Sequence, residues 1–136
     1  MHYFVKHFRH GIPEEKYFTK QLIQIKNLLS KKFSPSHDEV INILGHSVNA
    51  LHSVPTALYC FLRNSQTQSE GVCNFKQTLE YTITLGGDTD TIASMACALS
   101  GAFYSDAVIP ESLAGRCESS EEIIQLADKL FSTVTQ

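Results

Sequence analysis

The 136-residue chain has no excess of positive charge: Lys and Arg number 11 against 14 Asp and Glu, a formal charge of -3. That balance cannot neutralise a run of phosphates, so a dedicated nucleic-acid binder is not expected. Cysteine is sparse and scattered. Cys60, Cys73, Cys97 and Cys117 show no C-x-x-C spacing and no paired His/Cys cluster, which argues against a disulfide scaffold or a structural zinc site and fits buried, reduced thiols. Long apolar runs are absent as well. The longest mainly apolar stretch, residues 92–103, falls short of the ~18–20 residues of a membrane span. Residues 1–10 are aromatic and basic, without the continuous apolar centre of a secretory signal. A soluble, intracellular protein with no membrane partner is therefore expected. No repeat, low-complexity tract or linker divides the chain. Hydrophobic residues at 43% and charged residues at 18% exclude a disordered chain, and the length suits one domain with a modest core.

The pattern is helical nearly throughout. Pro13, Glu14 and Glu15 suit a first helical turn, and Phe18, Leu22, Ile25 and Leu29 follow at helical spacing before Lys31 and Lys32 close the segment. Ser34-Pro35 breaks it. Ser36 with Glu39 predicts a capping box, ahead of Val40, Ile43, Leu44 and a stop at Gly45. Ser53 and Pro55 are expected to open a helix carrying Leu58, Tyr59, Phe61 and Leu62, and residues 64–74, with Gly71, to form an exposed loop. Phe75, Leu79 and Ile83 have helical spacing, yet residues 81–85 have equal propensity for a short strand. Beyond Gly86-Gly87, the small residues Ala93, Ala96, Cys97, Ser100 and Gly101 predict a helix at the centre of the fold. Ser119 with Glu122 predicts a last capping box before the stripe of Ile123, Ile124, Ala127, Leu130, Phe131 and Val134. The expectation is one all-α, bundle-like domain over residues 1–136, with about five or six helices.

The concentrated chemical signal is Leu85-Gly86-Gly87-Asp88-Thr89-Asp90-Thr91. Carboxylates and hydroxyls packed this tightly suit magnesium, a hard cation that takes oxygen ligands and retained waters. The glycines allow a sharp turn and close approach. The competing explanation makes Asp88 a helix N-cap and Asp90 a complement to the macrodipole. A cap needs one oxygen, which leaves Asp90 and Thr91 unexplained, so the metal reading stands ahead. If residues 81–85 form a strand, Asp88-Thr89-Asp90 would instead match a haloacid-dehalogenase-like phosphatase. Against that, Gly86-Gly87 interrupts the strand that should reach the first Asp.

The run from Leu85 through Asp88, Asp90 and Thr91 to Ala96 also resembles the C-terminal metal motif of the ADP-ribosylhydrolases, the ADP-ribosylglycohydrolase family. Ser53-Val54-Pro55-Thr56-Ala57-Leu58-Tyr59-Cys60-Phe61-Leu62-Arg63, Gly101-Ala102-Phe103-Tyr104 and Pro110-Glu111-Ser112 are similar to the branch that removes ADP-ribose from serine and degrades poly(ADP-ribose). The resemblance implies an all-α fold and a binuclear magnesium centre below an ADP-ribose cleft. Carried over by position, Asp88, Asp90 and Thr91 would be metal ligands, with Asp90 bridging both ions. Val48 would line the adenosine side, although His46-Ser47 replaces the family's usual Asn-Gly pair. The implied partners are ADP-ribosylated proteins or poly(ADP-ribose), in nucleus, cytoplasm or mitochondrion. The family's upstream Thr-Asp-Asp ligand motif, catalytic glutamate and diphosphate loop have no counterpart here. The chain is thus expected to be the C-terminal part of such an enzyme, with no catalytic residue of its own, weak magnesium binding and no activity alone. A non-catalytic helical module with weak nucleotide binding is the alternative.

Other candidates have simpler explanations. His2, His7 and His10 read as surface histidines, and His46 and His52 as loop residues without an acid/base role. Tyr59, Phe61, Phe103 and Tyr104 have the spacing of core residues, although aromatics can also stack on adenine. Glu121-Glu122 fits a helix-start charge pair.

Overall fold

A computed structural model describes residues 14–65 and 72–135. Among them are seven α-helices: α1 (Glu14–Leu29), α2 (His37–Leu44), α3 (Ala50–Ser65), α4 (Val72–Thr84), α5 (Thr89–Tyr104), α6 (Glu111–Ala114) and α7 (Ser120–Val134). A 3-10 turn at Asp106–Val108 leads into α6. The all-α expectation holds, with the four-residue α6 added. Expectations placed on residues 1–13 and 66–71, and on the side chains of Glu14, Glu15 and Cys73, lie outside the described residues. No described helix is long and apolar enough to cross a membrane.

The core forms where α3, α4 and α5 meet, with α1 and α2 packed on α3. Ile25, Leu28, Val40, Leu44, Tyr59, Cys60, Tyr81, Leu85, Ile92 and Ala96 fill it. Ala93, Ala96 and Ser100 form the buried side of α5, as expected of small residues that let neighbouring helices approach closely. The Ser36 cap forms by half. The Ser36 hydroxyl accepts the Glu39 N–H at 3.1 Å, but the Glu39 carboxylate turns to the Lys31 ammonium instead.

Helix α3 begins earlier than Ser53 and Pro55 suggest. Asn49 caps it, its Oδ1 accepting the Leu51 N–H at 2.9 Å, so Pro55 lies inside the helix. Proline has no N–H for the carbonyl four residues back, here that of Leu51. That carbonyl accepts the Gln21 side-chain amide of α1 at 3.1 Å, which joins α1 to α3. The α3–α4 loop is also shorter than expected, because Asn64 and Asn74 both lie within helices and are buried.

Residues 81–84 are helical, which removes the strand alternative. The threonines that raise strand propensity return their hydroxyls to helix carbonyls: Thr78 to Asn74 at 2.7 Å, Thr82 to Leu79 at 2.7 Å and Thr84 to Tyr81 at 2.8 Å. Tyr81 and Leu85 are buried on the core side while Ile83 faces out. Burial at helical spacing overrides local propensity.

The Ser119 capping box does not form. Ser119 has a left-handed backbone (φ 55°, ψ 29°) and makes no side-chain cap bond, because a capping hydroxyl needs extended geometry to reach the N–H groups. The apolar stripe of α7 is exposed throughout, from 54% at Ile123 to 76% at Val134. The cysteine expectation holds for buried Cys60 but not for exposed Cys117.

Candidate functional site

Two loops clasp each other to build the site. The α2–α3 loop begins at Gly45 (φ 83°), and the α4–α5 loop turns through Gly86 and Gly87, both at φ 70°. The His46 carbonyl accepts the Asp88 N–H at 2.9 Å. The His46 ring returns across the same gap, its Nδ1–H donating to the Leu85 carbonyl at 2.9 Å. The carbonyl partner fixes that tautomer, since only a protonated ring nitrogen can bond to it. A Cβ on Gly87 would lie 2.2 Å from the His46 carbonyl oxygen, so the clasp requires glycine there. Gly45 is constrained in the same way by the His52 ring, 2.5 Å from where its Cβ would stand. His52 Nδ1 in turn meets Ser47 Oγ at 2.9 Å. Both histidines therefore shape loops. The clasp is a feature that sequence reading missed; a histidine after a helix-stopping glycine is too weak a signal to reveal it.

The clasp presents Asp88, Asp90 and Thr91 together at the start of α5. Asp88 occupies the N-cap position, yet at φ -80°, ψ 65° its side chain makes no cap bond. Its Oδ2 is buried and has no hydrogen-bond partner. The N-cap explanation of Asp88 is thereby set aside. Asp90 is exposed and its Oδ1 accepts the Thr91 N–H at 2.9 Å. That N–H holds the Asp90 carboxyl below its ordinary value of 3.8. Asp90 is thus ionised at neutral pH, beside a carboxylate oxygen with nothing to bond. Thr91 is exposed in the first turn of α5. Val48 stands on the clasping loop two residues beyond His46, 81% exposed.

The donor chemistry fits a hard divalent cation: an ionised carboxylate, a second with an orphaned oxygen, and a neighbouring hydroxyl. Among the described residues no three His, Cys, Asp or Glu side chains converge on one point. Asp88, Asp90 and Thr91 by themselves do not make up a full coordination shell. Tyr59 and Phe61 are core residues, whereas Phe103 is 69% exposed and packs edge-on against Phe61 at 5.7 Å. A concavity of about 430 Å³ lies along α1, lined by Lys16, Thr19, Lys20, Ile23, Gln24 and Asn27. Among the described residues one helix face lines it, with no opposing wall and no convergent polar set, so the acidic loop is the stronger candidate.

An all-α domain that carries two carboxylates and a hydroxyl on a glycine turn at a helix start defines the class. The comparisons specify it further. The sequence model of the ADP-ribosylglycohydrolase family matches residues 2–136, and the chain belongs to that family. ADP-ribosylhydrolase ARH3 of Bos taurus is 44% identical over 120 residues, covering 86% of this chain and 33% of the relative. The protein of the same name from Homo sapiens gives the same identity and coverage. That from Danio rerio is 41% identical over 117 residues, 84% of this chain and 31% of the relative. The chain spans about a third of the length of the curated relatives it matches. The phosphatase alternative falls with the missing strand, since its first Asp must follow one directly.

Proposed function

We propose that this chain contributes the Asp88/Asp90/Thr91 part of a binuclear magnesium site in an enzyme that hydrolyses the O-glycosidic bond of ADP-ribose on protein serine or in poly(ADP-ribose). The observation that carries the reading is the Asp88 Oδ2, buried and unpartnered beside an ionised Asp90. Leaving a buried carboxylate oxygen unbonded is costly, and a cation is the group that relieves it. Family membership and the likeness to ADP-ribosylhydrolases support the hydrolase reading.

In that site Asp88 and Asp90 would hold the metal with carboxylate oxygens, and Thr91 would add its hydroxyl. Bound magnesium would supply Lewis-acid stabilisation of charge on the ribose as its C1″–O bond breaks. Val48 on the clasping loop would form part of the adenosine wall. Two carboxylates and one hydroxyl cannot fill two octahedral shells, so the chain alone should bind weakly and remain inactive until residues from the rest of the enzyme complete the site.

Manganese titration of the 136-residue chain, followed by calorimetry and by the Mn²⁺ paramagnetic signal, tests the reading. The wild type should bind with low affinity, Asp88→Asn and Asp90→Ala should each weaken binding by about tenfold or more, and ADP-ribose should tighten it. A capping role predicts instead that Asp88→Ala lowers stability, that Asp88→Asn, an equally good cap, keeps it, and that manganese binding is unchanged in both. Identical titrations for wild type and both variants would overturn the proposal.

A further inference from the structure

We propose that Arg63, Tyr59 and Tyr81 form a receptor for a single oxyanion, a carboxylate or phosphate group, where α3 and α4 meet beneath His37 of α2. The cluster lies outside the acidic loop and is rich in donors but poor in acceptors. The hydroxyls of Tyr59 and Tyr81 are both buried and lie near each other and near Arg63, yet neither reaches full hydrogen-bonding geometry with a partner. The rings lie 6.3 Å apart, and the guanidinium carbon of Arg63 stands 4.2 Å from the centre of the Tyr81 ring. The His37 ring closes another side, edge-on to Tyr81 at 5.1 Å. Arg63 is half-buried, and its described hydrogen bond is a long one, 3.5 Å to Asn64 Oδ1. Among the described residues no carboxylate lies within ion-pairing distance of it.

The inventory fixes the chemistry of the missing group. A guanidinium offers five N–H donors and no acceptor, and each phenol gives one proton and has an oxygen that can accept, so donors outnumber acceptors in the cluster. Burial raises the pKa of both tyrosines above 10.0, so both remain protonated donors at neutral pH. Such a set calls for a group that only accepts and carries negative charge. A carboxylate or phosphate meets both needs, and its planar or tetrahedral oxygens match an arginine fork. Arg63 is the half-exposed wall, and its flexible stem lets the guanidinium lift from the Tyr81 ring to admit a ligand and close again over it.

The chain has five tyrosines and no tryptophan, so the cluster supplies two of the five emitters, and its share is read by difference against Tyr59→Phe. The 136-residue chain is titrated without divalent metal, with sodium phosphate or with sodium acetate, at ionic strength held constant by sodium chloride. A saturable change with phosphate assigns a phosphoryl ligand, and one with acetate assigns a side-chain carboxylate. Arg63→Gln should weaken either by about tenfold or more, the loss of a charge-assisted bond, and Arg63→Lys should recover part of it. If Arg63→Gln does not fold, Tyr59→Phe carries the test. It should melt at or above the wild type without anion, and below it at saturating anion. No saturable change with either anion, or the same change in Arg63→Gln, means that water satisfies the hydroxyls, and the proposal fails. Asp88→Asn should leave these titrations unaltered, which keeps this outcome separate from that of the metal site.

Discussion

Replacing Gly87 by alanine tests the clasp directly, because Gly86 provides an internal control. Both glycines sit at φ 70°, where an L-residue is strained by roughly 1–2 kcal/mol. They differ in surroundings. A Cβ at Gly86 meets nothing within 4 Å, whereas at Gly87 it falls 2.2 Å from the His46 carbonyl. The loops must separate to relieve that collision, losing the Asp88 N–H bond to His46 and the His46 ring bond to Leu85, both 2.9 Å. Each is worth about 0.5–1.5 kcal/mol, so Gly87→Ala should cost roughly 1–3 kcal/mol more than Gly86→Ala. For a domain of this size that corresponds to melting about 3–15 °C lower, read by circular dichroism at 222 nm. Manganese binding should weaken in step, because Asp88 moves with the loop. Equal melting temperatures for the two variants would refute the clasp.

Gln21→Leu leaves the Leu51 carbonyl without its 3.1 Å partner and should cost about 1–2 kcal/mol. In a Pro55→Ala background the restored N–H can take that carbonyl, so a double-mutant cycle by urea unfolding should show coupling of about 0.5–1.5 kcal/mol. Burial pushes the Cys60 thiol up to about 12 from 9.0. The unfolded chain therefore sheds this proton from pH 9 while the folded chain retains it. The stability this provides is complete below pH 9 and is lost as pH rises towards 12, by at most about 1.4 kcal/mol per pH unit. Cys60→Ala should flatten that decline between pH 9 and 10, before Tyr59 and Tyr81 add theirs. At neutral pH a thiol reagent should modify exposed Cys117 in the native chain and reach Cys60 only on unfolding. Leu130→Lys on α7, at a residue 67% exposed, should leave stability within about 0.5 kcal/mol of wild type, and light scattering should show less self-association.

Much of the helix order was legible in the sequence because burial and helical spacing act together, as in Ile25 of α1, Leu44 of α2 and Ala96 of α5. What escaped depended on partners distant in sequence or on local backbone geometry. Pro55 reads as a helix start until Gln21, thirty residues before Leu51, is seen to take the Leu51 carbonyl that proline leaves free. Residues 81–84 read equally as strand until each threonine hydroxyl finds a helix carbonyl. Ser119 has the right residue type for a cap but the wrong backbone. At the candidate site, Asp88, Asp90 and Thr91 were legible as a group because hard donors crowd a glycine turn. His46 was not, since its value lies in a bond to Leu85, 39 residues on.

The clasp also bears on how metal binding and folding are related. In small zinc domains the ligands come together only when the metal arrives, and chelation unfolds the chain. Here the acidic loop is positioned by backbone and histidine bonds made within this chain, and α5 starts from the Asp88 carbonyl, which accepts the Ile92 N–H at 3.1 Å. None of these bonds uses a carboxylate oxygen of Asp88. The loop should therefore hold its shape in a chelator, and added magnesium should raise the melting temperature only by mass action on a weak site. A large loss of helicity on chelation would mean that the cation builds the loop, and that the His46–Gly87 contact is a consequence of binding rather than its precondition.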